Sequence, residues 1–190
     1  MANKGYSAAD ITVVALLLLV CLQITEADTK AKLGREKISH LHFYFHDILV
    51  GKNVTAVEVA SAPTTNSSAT LFGTVMVMDD WLTEGPAATS KMVGRAQGIY
   101  VSSCQEKVQL LMATTFVFES GKYNGSTLSM VGKNAVFDKV REMPIVGGSG
   151  LFRLARGYAL ARTHSFDLKS GNAVVQYNVT VLHYSSPPRI

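Results

Sequence analysis

The sequence predicts an all-β protein, an eight-stranded antiparallel β-barrel with a central ligand cavity. Short runs of apolar residues alternate with period two, and turn-forming residues separate these runs at regular spacing. No stretch of ten or more residues has the 3.6-residue period of an amphipathic helix. Several runs are apolar on both faces, which favours a closed barrel. Such a barrel has no unpaired edge and, with eight strands, an interior able to hold one small ligand.

The strand-like runs follow one another along the chain from His40 onward. The acid pair Asp79-Asp80 is expected to end the third run, and residues 81–96 are expected to form the longest loop. Asn124-Gly125 favours a type I′ hairpin turn, because both residues readily adopt positive φ. The tight Gly turn at 147–150 is followed by another alternating run. The predicted strands are 40–50, 55–60, 71–78, 96–103, 107–119, 127–131, 136–146, 151–163 and 173–184.

The first 27 residues have the features of a secretory signal peptide. The apolar run 11–24 is shorter than the ~20 residues that a transmembrane helix needs. Thr25 and Ala27 are small residues at the −3 and −1 positions of a cleavage site. The segment before the run is only weakly basic, which keeps a retained membrane anchor open. We expect export to the extracellular space, a flexible mature N-terminus over 28–38, a barrel domain over 39–190, and no membrane attachment after cleavage.

Sequons and cysteines agree with export. Four N-glycosylation sequons begin at Asn53, Asn66, Asn124 and Asn178. One or two sequons arise by chance at this length, but four behind a signal-like segment predict a glycoprotein. Removal of the signal leaves Cys104 as the only cysteine, so no intrachain disulfide is possible and the fold depends on its core. Cys104 is interpreted as a packed thiol rather than a nucleophile, since no His or Asp is close to it in sequence.

Composition and missing motifs exclude several classes of function. The chain has 190 residues, enough for one domain, with 47% hydrophobic residues and a formal charge of +4. Its basic residues are scattered, which argues against a nucleic-acid partner. The Gly-rich segment at 147–150 lacks the Lys-Ser/Thr ending and the following helix of a phosphate-binding loop. No nucleophile elbow and no redox-cofactor motif is present, so no cofactor is predicted.

Three residues could serve an aromatic ligand. Asp47 shares a strand face with Phe43 and Phe45. If that face lines the barrel, burial raises the pKa of Asp47 and makes it a candidate general acid; at the rim, backbone amides would instead satisfy it. Arg141 could pair with an acid across the barrel, hydrogen-bond a phenolate, or be solvated at the surface. Tyr100 offers an aromatic face and a hydroxyl, or is a core tyrosine.

The histidines raise a metal hypothesis that the sequence does not sustain. His40 and His42 lie on the opposite face of the first strand, with His46 further along it. A zinc or copper site needs further ligands from other strands, and only His164 and His183 remain. We interpret the row as solvent-facing or subunit-facing histidines and predict no metal.

These segments together resemble the plant dirigent family, in its order and spacing, over residues 39–184. The resemblance implies an eight-stranded antiparallel barrel related to allene oxide cyclases, secreted to the apoplast as a homodimer or homotrimer, in phenylpropanoid metabolism or plant defence. It also implies that laccases or peroxidases make phenoxy radicals from monolignols, and that the protein orients two of them so that one enantiomer forms. The matching segments are 43–48, 72–74 with Asp79-Asp80, 94–100 and 146–157.

The resemblance assigns roles to residues one by one. Asp47, Tyr100 and Arg141 match the acid, the tyrosine and the arginine of the family's pocket. Phe45, Ser102 and Asn134 are predicted to bind substrate. Lignan-forming members carry a second acid at the position of Asn134, a second tyrosine at that of Ser102, and a cysteine pair that this chain lacks.

Segments 41–43, 96–100, 124–129 and 140–143 resemble a branch of the family that includes legume pterocarpan synthase. Its members dehydrate an isoflavanol through a quinone methide that an internal phenol traps. Three functions follow in order of preference. The first is stereochemical control of monolignol radical coupling (lignan formation) without an oxidant of its own. The second is hydro-lyase ring closure of an isoflavonoid alcohol. The third is a non-catalytic wall or defence binding protein.

Overall fold

One antiparallel sheet closes on itself into a barrel. The structure is a computed structural model that describes residues 12–20, 22 and 34–185. Short 3-10 turns lie between strands at Thr65–Ser67, Gly121–Tyr123 and Gly150–Phe152. Within the described residues the strands are β1 Glu36–Asp47, β2 Ala56–Ala60, β3 Val75–Thr83, β4 Met92–Ser102, β5 Leu110–Phe118, β6 Thr127–Asn134, β7 Arg141–Ser149, β8 Arg156–Phe166 and β9 Ala173–Tyr184.

The predicted eight-stranded barrel is confirmed, and β1 and β2 share one of its eight positions. Neighbouring strands follow the order β1-β9-β8-β7-β6-β5-β4-β3. The second half of β1 then pairs with the second half of β3, for example Phe45 with Leu82, and closes the ring. The short strand β2 pairs with the first half of β3, Ala56 opposite Met78. The loop 48–55 therefore interrupts a single barrel position.

Aromatic side chains fill one end of the barrel. Phe43 stacks on Tyr177 with ring centroids 5.8 Å apart and meets Phe116 edge-on at 5.0 Å. Phe152 packs against Phe118 at 5.7 Å. Burying each ring stabilises the fold by about 1.5–3 kcal/mol, and well-oriented ring pairs add about 0.5–1.5 kcal/mol. The opposite end, in the part of the chain that the structure describes, has the single ring pair Phe137–Phe166 and holds the cavity described below.

The acid pair does not end the third strand as expected. β3 continues through Asp79 and Asp80 to Thr83, and the loop that follows spans only 84–91. Alternation explains the difference, because the two carboxyl groups point to opposite faces. Asp79 lies on the outer face, where it accepts hydrogen bonds from Arg95 at 2.8 Å and Gln97 at 3.0 Å. Asp80 points inward and is completely buried.

The strand predicted over 136–146 is displaced along the chain. Residues 135–140 form a loop in which Phe137 is exposed, and β7 runs from Arg141 through the Gly-rich segment to Ser149. The predicted Gly turn is accordingly shifted to Gly150–Phe152. Gly148 lies within β7, where β6 approaches so closely that a side chain would clash. A Cβ at this position would lie 2.5 Å from the carbonyl oxygen of Thr127 on β6.

The N-terminal expectations fall largely on residues that are not described. Residues 12–20 are helical and exposed, whereas Thr25, Ala27 and residues 28–33 lie outside the described part. β1 begins at Glu36, inside the segment 28–38 that the sequence predicted to be flexible. In the described ranges, no helix is long and apolar enough to cross a membrane. Cys104 is a half-buried, unpaired thiol.

Candidate active site at the open end of the barrel

A cavity of about 530 Å³ occupies the end of the barrel opposite the aromatic cluster. Ligand sites for small organic molecules fall in the range of roughly 300–1,000 Å³. Most of its wall is apolar and comes from inward-facing strand residues such as Met76, Leu110, Met112 and Val175. The few polar side chains in the wall therefore determine how a ligand is oriented.

Asp47 is the acid of this wall. It is the last residue of β1 and lies on the same inward face as Phe43 and Phe45, which are four and two residues earlier and are buried in the interior. Burial raises the pKa of Asp47 to about 6, although the hydrogen bond from Tyr100 partly opposes that rise. Asp47 consequently carries a proton in mildly acidic solution and can donate it to a ligand.

Tyr100 lies on β4, on the inward face of the strand, and its side chain is 7% exposed. Its hydroxyl donates a hydrogen bond to Oδ1 of Asp47 at 3.4 Å. Burial and the neighbouring acids Asp47 and Asp80 raise the pKa of Tyr100, so its hydroxyl stays protonated. The ring contributes an aromatic surface to the cavity wall next to the acid.

Arg141 lies at the first position of β7 and contributes a buried positive charge, with only 4% of the side chain exposed. Its Nε donates to Oδ1 of Asn134 at 3.1 Å and its Nη1 to Oγ1 of Thr163 at 2.9 Å. Burial lowers the pKa of Arg141, but a guanidinium group keeps its proton in proteins. Its Nη2 makes no hydrogen bond to any residue of the described chain, which leaves one charged donor for a ligand oxygen.

The structure brings all six predicted pocket residues to the same cavity. Asp47, Tyr100 and Arg141 line it together with Phe45, Ser102 and Asn134, although they come from four different strands. The Asn134 amide has a structural task as well, since it holds the Arg141 guanidinium in place. Sequence reasoning did not include Thr163, which accepts from Nη1 of Arg141, as does the carbonyl oxygen of Asp138 at 3.4 Å.

Sequence reasoning also missed Asp80. The side chain is completely buried, and neither carboxyl oxygen has a hydrogen-bond partner among the described residues. The Thr55 hydroxyl is near enough to lower its pKa somewhat, but that hydroxyl donates to the carbonyl of His46 at 3.3 Å. Burial, reinforced by the negative charge of Asp47, raises the pKa of Asp80 to about 8. The inward-facing alternation of Met76, Met78, Asp80 and Leu82 is the sequence signal for this position.

The histidine row lies outside the cavity. His40 and His42 are exposed on the outer face, and their Nδ1 atoms lie 3.2 Å from Oγ1 of Thr180 and 2.9 Å from Oδ1 of Asn178. His46 is buried, and its Nε2 lies 2.7 Å from Oγ1 of Thr83, the last residue of β3. Across the described ranges there is no group of three or more His, Cys, Asp or Glu side chains arranged to hold a metal ion.

All four sequon asparagines are exposed. They lie in the loop after β1, the 3-10 turn before β3, the β5–β6 turn and the outer face of β9, and they are Asn53, Asn66, Asn124 and Asn178. Each side chain is therefore on the outer surface, away from the cavity.

The geometry defines a class of protein: a small β-barrel with a closed aromatic end and an acid, a tyrosine and an arginine around a ligand cavity. The chain belongs to the dirigent family, as the sequence predicted, because the family profile described as dirigent-like protein matches residues 38–182. Dirigent protein 23 of Arabidopsis thaliana is 50% identical over 187 residues, which cover 96% of this chain and 100% of that protein.

Pterocarpan synthases have the same sequence identity to this chain as Dirigent protein 23 has. Pterocarpan synthase 1 of Glycyrrhiza echinata is 50% identical over 150 residues, which cover 78% of this chain and 80% of that protein. The solved structure of the pterocarpan synthase dirigent protein GePTS1 superposes with a TM-score of 0.74 at 50% identity, covering 79% of this chain and 90% of that one.

Proposed function

We propose that the protein catalyses stereoselective ring closure of a phenolic alcohol, an isoflavanol-type substrate, by loss of water through a quinone methide. The observation that carries the proposal is the position of Asp47, a half-buried carboxyl group in an apolar cavity wall with a pKa of about 6. Such an acid is protonated in mildly acidic solution, where it can protonate a leaving hydroxyl group. The 50% identity to pterocarpan synthases supports the same chemistry.

The proposed reaction needs no oxidant. Asp47 protonates the benzylic hydroxyl, the C–O bond breaks and water leaves. The conjugated phenol loses its proton and becomes the carbonyl of the quinone methide. A second phenol of the same molecule then attacks the benzylic carbon, its oxygen forms the new C–O bond and releases a proton, and the carbonyl oxygen takes up a proton to restore the first phenol. Two protons are released and two are taken up, so the net change is loss of water.

Arg141 and Tyr100 suit the two oxygens at which charge changes. The free Nη2 donor of Arg141 is fixed because Asn134 and Thr163 hold the other guanidinium nitrogens. A preorganised cation of this kind stabilises negative charge on a phenol oxygen as its proton leaves. Tyr100, bonded to Asp47, positions the acid and provides a ring surface against the substrate. The fixed wall then exposes one face of the quinone methide to attack.

Stereochemical control of monolignol radical coupling is the second candidate function. The volume of about 530 Å³ and the apolar wall favour it, because they provide space for two small phenolic molecules side by side. A laccase or peroxidase would supply the radicals, and no cofactor of the barrel would take part. Asn134 and Ser102, which replace an acid and a tyrosine of lignan-forming members, favour the single ring closure over this alternative.

We further propose that the protein is a secreted, glycosylated homodimer or homotrimer. The sequons and the signal-like segment support export and glycosylation. A row of apolar residues crosses the outer face of β2–β6, and exposed apolar patches of this kind mark protein contacts. Its members are paired in register and are Val57, Val77, Ile99, Ala113 and Val131. Ile99→Lys should dissociate the oligomer in light-scattering measurements, whereas a monomeric wild type would contradict the proposal.

Chiral chromatography of two reactions tests the function. An isoflavanol is incubated with the protein and no oxidase, and coniferyl alcohol is incubated with the protein and a laccase. We expect enantiomerically enriched ring-closed product in the first reaction, and its loss with Asp47→Asn. Racemic coupling products in the second would rule out the radical role, and enrichment there without turnover in the first would reverse our order. Binding of both phenols without either product would favour a non-catalytic protein.

A further inference from the structure

We propose that Asp80 is a positioning residue that stores a proton behind Asp47 and returns it after Asp47 has protonated the leaving group. The inference rests on the proposed ring closure. Asp80 does not line the ligand cavity. Its action on the substrate is therefore exerted through Asp47.

The first support is the burial of an unpartnered acid. Asp80 has 0% exposure, and neither of its carboxyl oxygens has a hydrogen-bond partner among the described residues. An ionised carboxylate in such a position is far more costly than a neutral carboxyl group. Asp80 therefore carries its proton in the folded protein. Its protonated carboxyl group donates no hydrogen bond to any residue that the structure describes.

The second support is the position of Asp80 in the barrel. Asp80 follows Met76 and Met78 on the inward face of β3, and Met76 lines the cavity. Opposite it on β4 lies Ala96, and the next inward residue of β4 is Gly98, before Tyr100. These two small residues place little bulk between the buried acid and the polar end of Tyr100.

The third support is the set of ionisable groups around Asp80. Asp47 on β1, Tyr100 on β4 and Tyr177 on β9 are within electrostatic reach of it, and Asp79 acts on it from its own strand. The described chain places no cation among the groups that shift its ionisation. Two carboxyl groups without a cation to neutralise them do not ionise together easily, so one proton remains with the pair after the other has left.

These features define a path for the proton of Asp80 and account for each proton in the reaction. When Asp47 has given its proton to the leaving hydroxyl, its carboxylate accepts the proton of Asp80. Asp80 is in turn reprotonated by the proton that a substrate phenol releases during ring closure. A buried water suits the transfer, because such waters need two to four polar partners and the two acids with the Tyr100 hydroxyl can provide them.

The pH profile of turnover distinguishes this role from a structural one. With the full-length protein and an isoflavanol, wild-type kcat should fall above pH 6 to a lower plateau, because the one proton that the pair then holds must move from Asp80 to Asp47. It should decline further near pH 8, where the pair loses that second proton. Asp80→Asn, nearly the same size but unable to donate a carboxyl proton, should lose activity near pH 6 and lower kcat at pH 7 about 10-fold to 100-fold, with KM changed less than about 3-fold. Coinciding upper limbs in wild type and variant would overturn the proposal.

Asp79→Asn is the matched control, because it removes the adjacent acid from the exposed face and should move the profile only slightly, since Asp79 is the weakest of the influences on the pKa of Asp80. A carbon-13 NMR titration of the Asp side chains gives a readout that does not need turnover. We expect Asp80 to remain protonated at pH 7, and its ionisation with the ordinary surface acids would overturn the proposal. If the wild type turns over no isoflavanol but Asp80 still loses its proton only well above pH 7, the proposed reaction is wrong, whereas the proposed proton-storing pair is supported.

Discussion

The Tyr100 hydroxyl donates a hydrogen bond to Oδ1 of Asp47 at 3.4 Å, across the strand β3, which contains neither of the two residues. Tyr100 lies on β4 and Asp47 on β1, and β3 pairs with both of these strands. The bond therefore spans the inner face of β3, the strand that carries Asp80. Three neighbouring barrel positions thus contribute one side chain each to a single group of ionisable residues.

Replacing Asp47 with Asn should abolish acid assistance. Asparagine keeps the size of the side chain but cannot protonate a leaving hydroxyl, so kcat should fall by about 10²–10⁴-fold. The pKa of Asp80 should also fall, since the charge of Asp47 contributes to raising it. Steady-state turnover of an isoflavanol checks the first effect and NMR titration the second. Wild-type kcat in the variant would remove Asp47 from the reaction.

Replacing Tyr100 with Phe should raise the pKa of Asp47 further. The hydroxyl hydrogen bond stabilises the carboxylate form and lowers the pKa, so its loss leaves burial unopposed. A carbon-13 NMR titration of the Asp47 carboxyl group should show its midpoint moved above pH 6. Tyr158→Phe, which removes a hydroxyl from a residue exposed on the outer face, is the control and should leave the midpoint unchanged. A midpoint moved to lower pH would contradict the assignment.

Replacing Arg141 with Lys should impair the reaction although the charge is retained. The three donors of an ammonium group diverge from one nitrogen, so they cannot reproduce the separate positions from which the guanidinium nitrogens bond Asn134 and Thr163 and leave Nη2 for a ligand. We expect kcat/KM to fall by roughly 10-fold to 100-fold and the enantiomeric excess of the product to decrease. Arg156→Lys, at an exposed arginine bonded to Glu36, should have no effect on either quantity. Equal activity of both variants would show that position-specific donation is not needed.

The raised pKa values of two inner acids should make stability decline as pH rises. The pKa values of Asp47 and Asp80, about 6 and 8, exceed the value of 3.8 for an exposed Asp, so the folded protein holds protons that the unfolded chain releases. The free energy of unfolding should fall as pH rises from about 4 to 9, and Asp80 alone should contribute on the order of 5 kcal/mol. Urea unfolding of Asp80→Asn should show a much smaller decrease, and that of Asp79→Asn nearly the wild-type decrease, because Asp79 is the weakest influence on the pKa of Asp80.

Replacing Gly98 with Ala should destabilise the barrel. Gly98 has a φ of +149°, and a Cβ there would lie 2.1 Å from the carbonyl oxygen of Ala113 on β5. The strands must separate locally, which we expect to cost roughly 2–4 kcal/mol. Gly147→Ala is the control, because no heavy atom lies within 4 Å of its added Cβ. Denaturant unfolding should resolve the difference, and equal midpoints would indicate that the pairing of β4 and β5 tolerates the side chain.

Alternation of side chains made much of the fold and part of the site predictable. The buried parity of Phe43 and Phe45 placed Asp47 on the cavity face, and turn residues separated most strands near their observed ends. Two apolar residues at 136 and 137 resemble a strand start, but they lie in a loop at the cavity end. The side-chain pattern predicts that a strand exists. Where the strand begins and ends depends on its pairing with neighbouring strands, about which the pattern carries no information.

At Asp80 the sequence led to the opposite error, because a strand was predicted to end where it continues. An acid pair is a common strand terminator in sequence, since charged residues are rarely fully buried. Here one acid faces solvent beside Arg95 and the other stays inside with a raised pKa. The bonds of Arg141 to Asn134 and Thr163 were unpredictable for a related reason, because they join the three neighbouring strands β6, β7 and β8, whose register the side-chain pattern does not contain.

The pairing of β1 with β9 along twelve residues has a consequence for how the protein is made. β1 is the first strand and β9 the last, so the chain must be nearly complete before the barrel can close. Folds that depend on contacts between distant parts of the chain form slowly, because the intervening chain loses entropy before those contacts are gained. We therefore expect folding to follow synthesis, leaving a period in which strand edges are unpaired and the sequon in β9 is still open to modification.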